Sequence, residues 1–179
     1  FTNEGGIGGK ITFLQNITGL WFLQRLMAEW ADEGDEQQYE PLLAAAERAE
    51  IQTVIPVDAP EFQNPKSMQQ AICGYCERQA LDVPQTKADL TRVVLQSLAA
   101  KYAEATQALN AMLPEPIKKL HIIGGGSQNK LLNRLTQQAL GIPVEAGPVE
   151  ATAIGNILTQ ALAKGEVADI HEMRSIAIV

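Results

Sequence analysis

The stretch from Leu120 to Leu140 constrains this chain most: an apolar run, LHII, enters three consecutive glycines and then SQNKLLNRLTQQAL, whose leucines recur at helical spacing. That order predicts a strand, a tight turn and a helix, with Ser127, Gln128 and Asn129 where the helix begins. Gly124, Gly125 and Gly126 lack a Cβ, so the backbone there is free to take positive φ, and a flat ligand is able to lie directly against it. The N–H groups opening a helix have no partner within it and favour polar or anionic ligand atoms. A glycine turn after a strand also serves as a plain βα connection, and that reading stands beside the ligand reading. GGGSQNK lacks the Lys-Ser/Thr of a P-loop and does not continue as GxGxxG with an acidic residue after the next strand, which excludes both of those phosphate loops.

The flanking chain predicts long helices between short strands, an α/β pattern with the sheet covered on its faces. Phe1 to Gly9 is polar and glycine-rich and reads as a turn, with Thr2, Asn3 and Glu4 as weaker candidates for facing a cleft; Ile11 and Phe13 then alternate as in a strand. Asn16 is placed to cap a helix in which Ile17, Leu20, Trp21, Leu23, Met27 and Trp30 leave little polar face. An acidic run, DEGDEQQYE, leads into a helix whose Leu42, Leu43 and Ala46 share one side, and Ile51 to Val57 reads as a strand or extended stretch. Thr86 and Asp89 have capping-box spacing at the start of the longest helix, with Leu90, Val94, Leu98, Tyr102, Ala105, Leu109 and Met112 in one stripe. Ser97, Ala99 and Ala100 there leave room for another helix.

Pro114 and Pro116 end that helix, and the central strand is expected from about Ile117. After the glycine turn, Leu131, Leu132, Leu135, Ala139 and Leu140 face the sheet, Gly141 is the C-cap, and Ile142 to Val144 form the next strand. Gly147 and Pro148 turn the chain into the following helix, where Ile154, Ile157, Leu158, Ala161 and Leu162 point inward and Gly165 lies past the end; Asp169 caps a last helix holding His171 on the surface.

Composition limits the function classes. A hydrophobic content of 46% over 179 residues suffices for one substantial core, so residues 1–179 are expected to form a single domain. The net charge of −7 argues against general affinity for nucleic acid or anionic membranes, which requires a basic surface. No stretch approaches the roughly 20 apolar residues of a membrane span and no signal peptide is evident, so a cytoplasmic protein is expected. The start at Phe1 and the apolar end, SIAIV, suggest a domain cut from a longer protein. Cys73 and Cys76 form a CxxC without a second pair and with both histidines remote, which favours reduced packing residues over a metal site.

IIGGGSQNKLLNRLTQQALGIPV followed by GPVEATAIGNILTQALAKG resembles the second half of the FGGY carbohydrate kinases, and FTNEGGIGGKITFLQNITGLWFLQRL narrows the resemblance to the rhamnulokinase branch of that family. The similarity runs over nearly the whole chain. It implies an α/β domain of the actin/hexokinase-like (ribonuclease H-like) type, with a mixed sheet covered by helices. It also implies the C-terminal, nucleotide-facing half of a two-domain enzyme. By position, Gly124, Gly125 and Gly126 would lie under ATP, with Ser127 and Gln128 beside them and Asn129 near adenine; Glu150 and Thr152, in the EATAIG motif, would close the pocket. Ile123 departs from the glycerol kinases, which tend to carry Asp there, and is closer to the xylulose kinases.

The implied reaction is transfer of the ATP γ-phosphoryl group to the primary hydroxyl of a ketose, L-rhamnulose in that branch, with Mg²⁺ on the nucleotide phosphates. The family's catalytic Asp and phosphate-binding turns belong to motifs upstream of FTNEGG. No catalytic or metal-ligating residue is therefore assigned, and the chain without its N-terminal domain is expected to be inactive. A xylulose or glycerol kinase, a nucleotide-binding module without phosphoryl transfer, and a structural or interaction domain are the alternatives.

Overall fold

The computed structural model describes residues 1–177, so the last two residues of the SIAIV run lie outside the described residues. The chain divides into two compact units, Phe1–Glu115 and Pro116–Val179. The mixed strand directions implied by the resemblance are divided between two separate ladders, one antiparallel and one parallel.

In the first unit the polar, glycine-rich opening is a strand rather than a turn: β1 (Thr2–Gly5) pairs antiparallel with β2 (Ile11–Leu14). Reversal at Gly8 and Gly9, both at positive φ, lets the backbone of an otherwise poor strand former close a ladder. Phe1 stacks on Phe13 with ring centroids 4.9 Å apart. Helix α1 (Trp21–Asp32) begins well after Asn16, with Leu20 at the N-cap and no side-chain cap bond, so the expected Asn16 cap does not form. Phe22, Leu23, Leu26 and Trp30 are buried while Trp21 is exposed, an ordinary amphipathic helix instead of one enclosed on most sides.

Helix α2 (Tyr39–Arg48) buries Leu42, Leu43 and Ala46 as the spacing predicts, and it packs on α4 (Lys87–Asn110). Helix α3 (Met68–Arg78) buries Met68, Ile72 and Cys76. Both cysteines are free thiols, and desolvation pushes their pKa values up, which suits packing residues better than nucleophiles. Glu29 of α1 reaches the start of α3, where its carboxylate accepts from Met68 N at 2.6 Å and Ser67 Oγ at 3.0 Å. The α4 capping box is present: Thr86 Oγ1 accepts from Asp89 N, and the Asp89 carboxylate accepts from Thr86 N, each at 3.0 Å. Leu90, Val94, Leu98 and Ala105 of its stripe are buried, whereas Met112 lies past the helix end and is exposed.

Ser97, one of the small residues midway along α4, receives an extended chain, while α2 and α1 pack on the same helix. Residues 51–57 form no ladder, and α4 side chains satisfy their backbone instead. Ser97 Oγ accepts from Ile55 N at 2.9 Å, and Gln96 Nε2 donates to the Ile51 and Thr53 carbonyls.

In the second unit β3 (Leu120–Ile122) pairs in parallel with β4 (Val144–Ala146), Leu120 opposite Val144. β3 begins later than Ile117, and β4 starts at Val144, the last residue of the expected Ile142–Val144 segment; Pro143 has no N–H for the ladder, and its carbonyl accepts from Leu120 N. Between the strands runs α5 (Lys130–Leu140), which packs on β4 and buries Leu131, Leu132, Leu135 and Thr136. Ala139, expected inward, is exposed, and Thr136 takes that side of the helix. Gly141 ends α5 in the left-handed conformation at φ 68°. Helices α6 (Ala151–Lys164) and α7 (Ile170–Ala177) pack around Leu158, Val167 and Met173. Ile154, Ala161 and Leu162 join that cluster, but Ile157 is 65% exposed, a correction to its expected inward position. Asp169 caps α7, its carboxylate accepting from the His171 and Glu172 N–H groups at 2.8 and 2.9 Å.

Candidate functional site

The glycine turn leaves β3 through one residue with an unusual backbone. Gly124 has φ 77° and ψ −169°, a region essentially closed to residues with a Cβ. Gly125 and Gly126 do not take positive φ; they open a 3₁₀ turn, Gly125–Gln128, that precedes α5. The helix therefore begins one turn later than the sequence suggests. Nothing lies within 4 Å of a Cβ built on Gly124, Gly125 or Gly126, so the outer side of the turn is open to close approach by a ligand.

The inner side is closed by hydrogen bonds. Ser127 is buried, and its N–H and its Oγ both donate to the Gly124 carbonyl, at 3.0 and 2.8 Å. Asn129 is 1% exposed and serves as N-cap of α5, Oδ1 accepting from Leu132 N at 2.9 Å. Its N–H donates to the Gly126 carbonyl at 3.1 Å. Gln128 and Lys130 are exposed on either side of it. Of the residues singled out in the sequence, the three glycines and Gln128 thus meet solvent, while Ser127 and Asn129 build the turn from within.

A second segment is drawn to the turn from β4. Gly147 N donates to the Ile122 carbonyl at 2.7 Å and Gly124 N to the Pro148 carbonyl at 3.1 Å, extending the parallel ladder past its last strand residue. The GPVE loop is thereby held beside the glycines, and Glu150 and Thr152 follow it, exposed at the start of α6. A Cβ on Gly147 would sit 2.9 Å from Ile123 Cγ2, so Gly147 is required for Ile123 to cross it. By residue type alone Gly147 is only half of a Gly-Pro turn. Asn133, one helical turn into α5, contacts the turn although the sequence does not single it out; its Nδ2 donates to the Ser127 carbonyl at 2.8 Å. The i, i+4 spacing from Asn129 is the only signal it leaves in the sequence.

Charge near the turn is paired along the ladder. Lys119 Nζ lies 2.6 Å from the Glu145 carboxylate, which this contact holds below the usual carboxylate range. Among the described residues no group of three or more His, Cys, Asp and Glu is arranged to hold a metal ion, and no helix is long and apolar enough to cross a membrane. The first unit has a concavity of its own, a cleft of about 470 Å³ lined by Thr18, Trp21, Val57, Asp58, Phe62 and Gln63. Lys101, itself paired with Glu104, hydrogen-bonds Asp58 at 2.8 Å and keeps that carboxyl below its ordinary pKa.

Residues 1–164 match the FGGY family of carbohydrate kinases, C-terminal domain. Over 177 residues the chain is 44% identical to a rhamnulokinase of Bacteroides thetaiotaomicron, covering 98% of this chain and 36% of that protein. A rhamnulokinase of Pectobacterium carotovorum is 43% identical over 174 residues, covering 97% of this chain and 34% of its own length. One of Yersinia pestis is 41% identical over 175 residues, with 98% and 36% covered. The chain thus spans about a third of the length of the curated relatives it matches. With a family match across both compact units and an α/β architecture to suit it, the chain belongs to the FGGY family of carbohydrate kinases, as an actin/hexokinase-like C-terminal domain.

Proposed function

We propose that this chain is the nucleotide-facing domain, residues 1–179, of an ATP-dependent sugar kinase. In this reading the enzyme transfers the γ-phosphoryl group of ATP to the primary hydroxyl of L-rhamnulose, releasing ADP and L-rhamnulose 1-phosphate. The observation that carries it is the open outer side of Gly124–Gly126 in a chain that matches the family and is similar to proteins named rhamnulokinase. The three glycines and Gln128 line the nucleotide, Ser127 and Asn129 shape the turn, and Glu150 and Thr152 bound the pocket from α6. Mg²⁺ arrives on the ATP phosphates, where it neutralises charge during transfer. The ketose-binding contacts and the catalytic carboxylate are contributed by an N-terminal domain, in keeping with the third of the relatives' length that this chain spans. A cytoplasmic location follows from the use of ATP.

The test is phosphoryl transfer by the full-length protein containing this chain, with Mg·ATP and L-rhamnulose beside L-xylulose, D-xylulose and glycerol. A preference for L-rhamnulose is expected; transfer to one of the others replaces the substrate, and transfer to none overturns the reading. Gly125→Ala tests the turn. A methyl group there meets nothing in the free protein, so stability holds, yet it occupies the nucleotide's space and raises KM for ATP by about tenfold or more.

A further inference from the structure

We infer that Asn133 is a positioning residue for the glycine turn, an inference that rests on the nucleotide reading of that turn. It lies on α5, away from the open side, and acts through Ser127. Its Nδ2 donates to the Ser127 carbonyl at 2.8 Å, while its N–H donates to the Asn129 carbonyl at 3.0 Å. The Gly124 carbonyl meanwhile accepts from both the N–H and the Oγ of Ser127. Two carbonyls of the turn are thus tied to the inner side.

Three successive glycines have more backbone freedom than any other tripeptide, so a turn made of them presents one surface only when something outside it fixes the peptide planes. Ser127 fixes one plane locally. Asn133 anchors Ser127 itself to the body of α5, so the turn keeps its shape before any ligand arrives, which lowers the ordering cost of binding.

The remaining half of the Asn133 amide supports a geometric role. Asn133 Oδ1 is buried and has no hydrogen-bond partner among the described residues. Turning the amide over would set Oδ1 against the Ser127 carbonyl, two acceptors face to face, so the donor is held on Ser127 and the acceptor is left unsatisfied. An orphaned buried acceptor offsets most of what a single hydrogen bond contributes to stability. The net effect of the side chain therefore falls on the shape of the turn. Thr136, one turn further on, is fully buried and its Oγ1 also has no partner among the described residues, so it makes no side-chain hydrogen bond to the turn and serves as a control.

The experiment uses the full-length protein with Asn133→Ala, Asn133→Asp and Thr136→Val. In Asn133→Asp the size is kept and the donor lost. Amide exchange at the Ser127 and Asn129 N–H groups without nucleotide reads the anchor directly, and acceleration by about fivefold to tenfold is expected in both Asn133 variants but not in Thr136→Val. In the kinase assay KM for ATP should rise by about the same factor, with kcat and the ketose KM within about twofold; thermal stability should be unchanged in Asn133→Ala and lowered in Asn133→Asp, whose carboxylate faces the Ser127 carbonyl. Unchanged exchange in the turn overturns the inference, as does loss of folding in both Asn133 variants, which would make the residue architectural. Accelerated exchange with an unchanged KM for ATP leaves the anchor standing and instead removes the nucleotide from this turn.

Discussion

The two compact units hold their shape by different means. In the first, α4 is packed by α1, α2 and the extended chain 51–57, and Phe22, Leu26, Trp30, Ile55, Phe62, Val93, Leu95 and Leu98 are all at most 2% exposed. Around the glycine turn of the second, the buried residues are Ser127 and Asn129, and what fixes the backbone is a set of hydrogen bonds to Gly124, Gly126 and Ser127. Packing is non-directional and sums over area, whereas a hydrogen bond fixes one orientation. A fold needs the first in bulk; a surface that must present its own backbone to a ligand cannot cover that backbone with side chains and depends on the second.

Three experiments test that contrast. Leu98→Ala removes a side chain with no exposure from the middle of α4 and should cost about 2–5 kcal/mol in denaturant unfolding. Amide exchange along α1 and α4 should then rise more than exchange along β3 and α5. Equal acceleration in both units would show one cooperative structure and break the comparison. Gly124→Ala is the counterpart: nothing fills the space where its Cβ would be, so the whole cost is conformational, about 1–3 kcal/mol for the forbidden φ/ψ. A smaller effect would mean that the turn relaxes and that its hydrogen bonds do not determine its conformation.

The smallest effect concerns the acid limb of the second unit. The Glu172 and His171 N–H groups hold the Asp169 carboxyl below its ordinary 3.8. Because the folded value is depressed, the α7 cap is fully present above the ordinary value and is lost as pH falls through the lowered one. Exchange at the His171 and Glu172 amides should therefore rise toward low pH, and Asp169→Asn should flatten that dependence. The packed interior of the first unit around Leu98 should show no matching step.

Signals that close within a few residues are legible in the sequence. The capping box at Thr86 and Asp89, the left-handed glycine after α5, the Asp169 cap and the strand–turn–helix order around Gly124 all read directly, because each partner lies within the same turn of chain. The candidate site is partly visible in the same way: its glycines announce themselves by type. Asn133 and Gly147 do not, since their partners, Ser127 and Ile123, are identified only once α5 and β4 are docked.

Family membership, the order of the helices and the location of the turn are thus properties of the residue order, because helical spacing and glycine runs are local physics, whereas the β1 ladder at the polar opening forms only with its partner strand. Which faces are covered is a matter of tertiary packing. Ile157 and Ala139 have the right spacing for burial but are exposed, and Ser97 takes up the backbone of an extended segment that lies 42 residues away in sequence. Periodicity states that a face is apolar; only the arrival of a partner removes it from water or supplies the hydrogen bond it lacks.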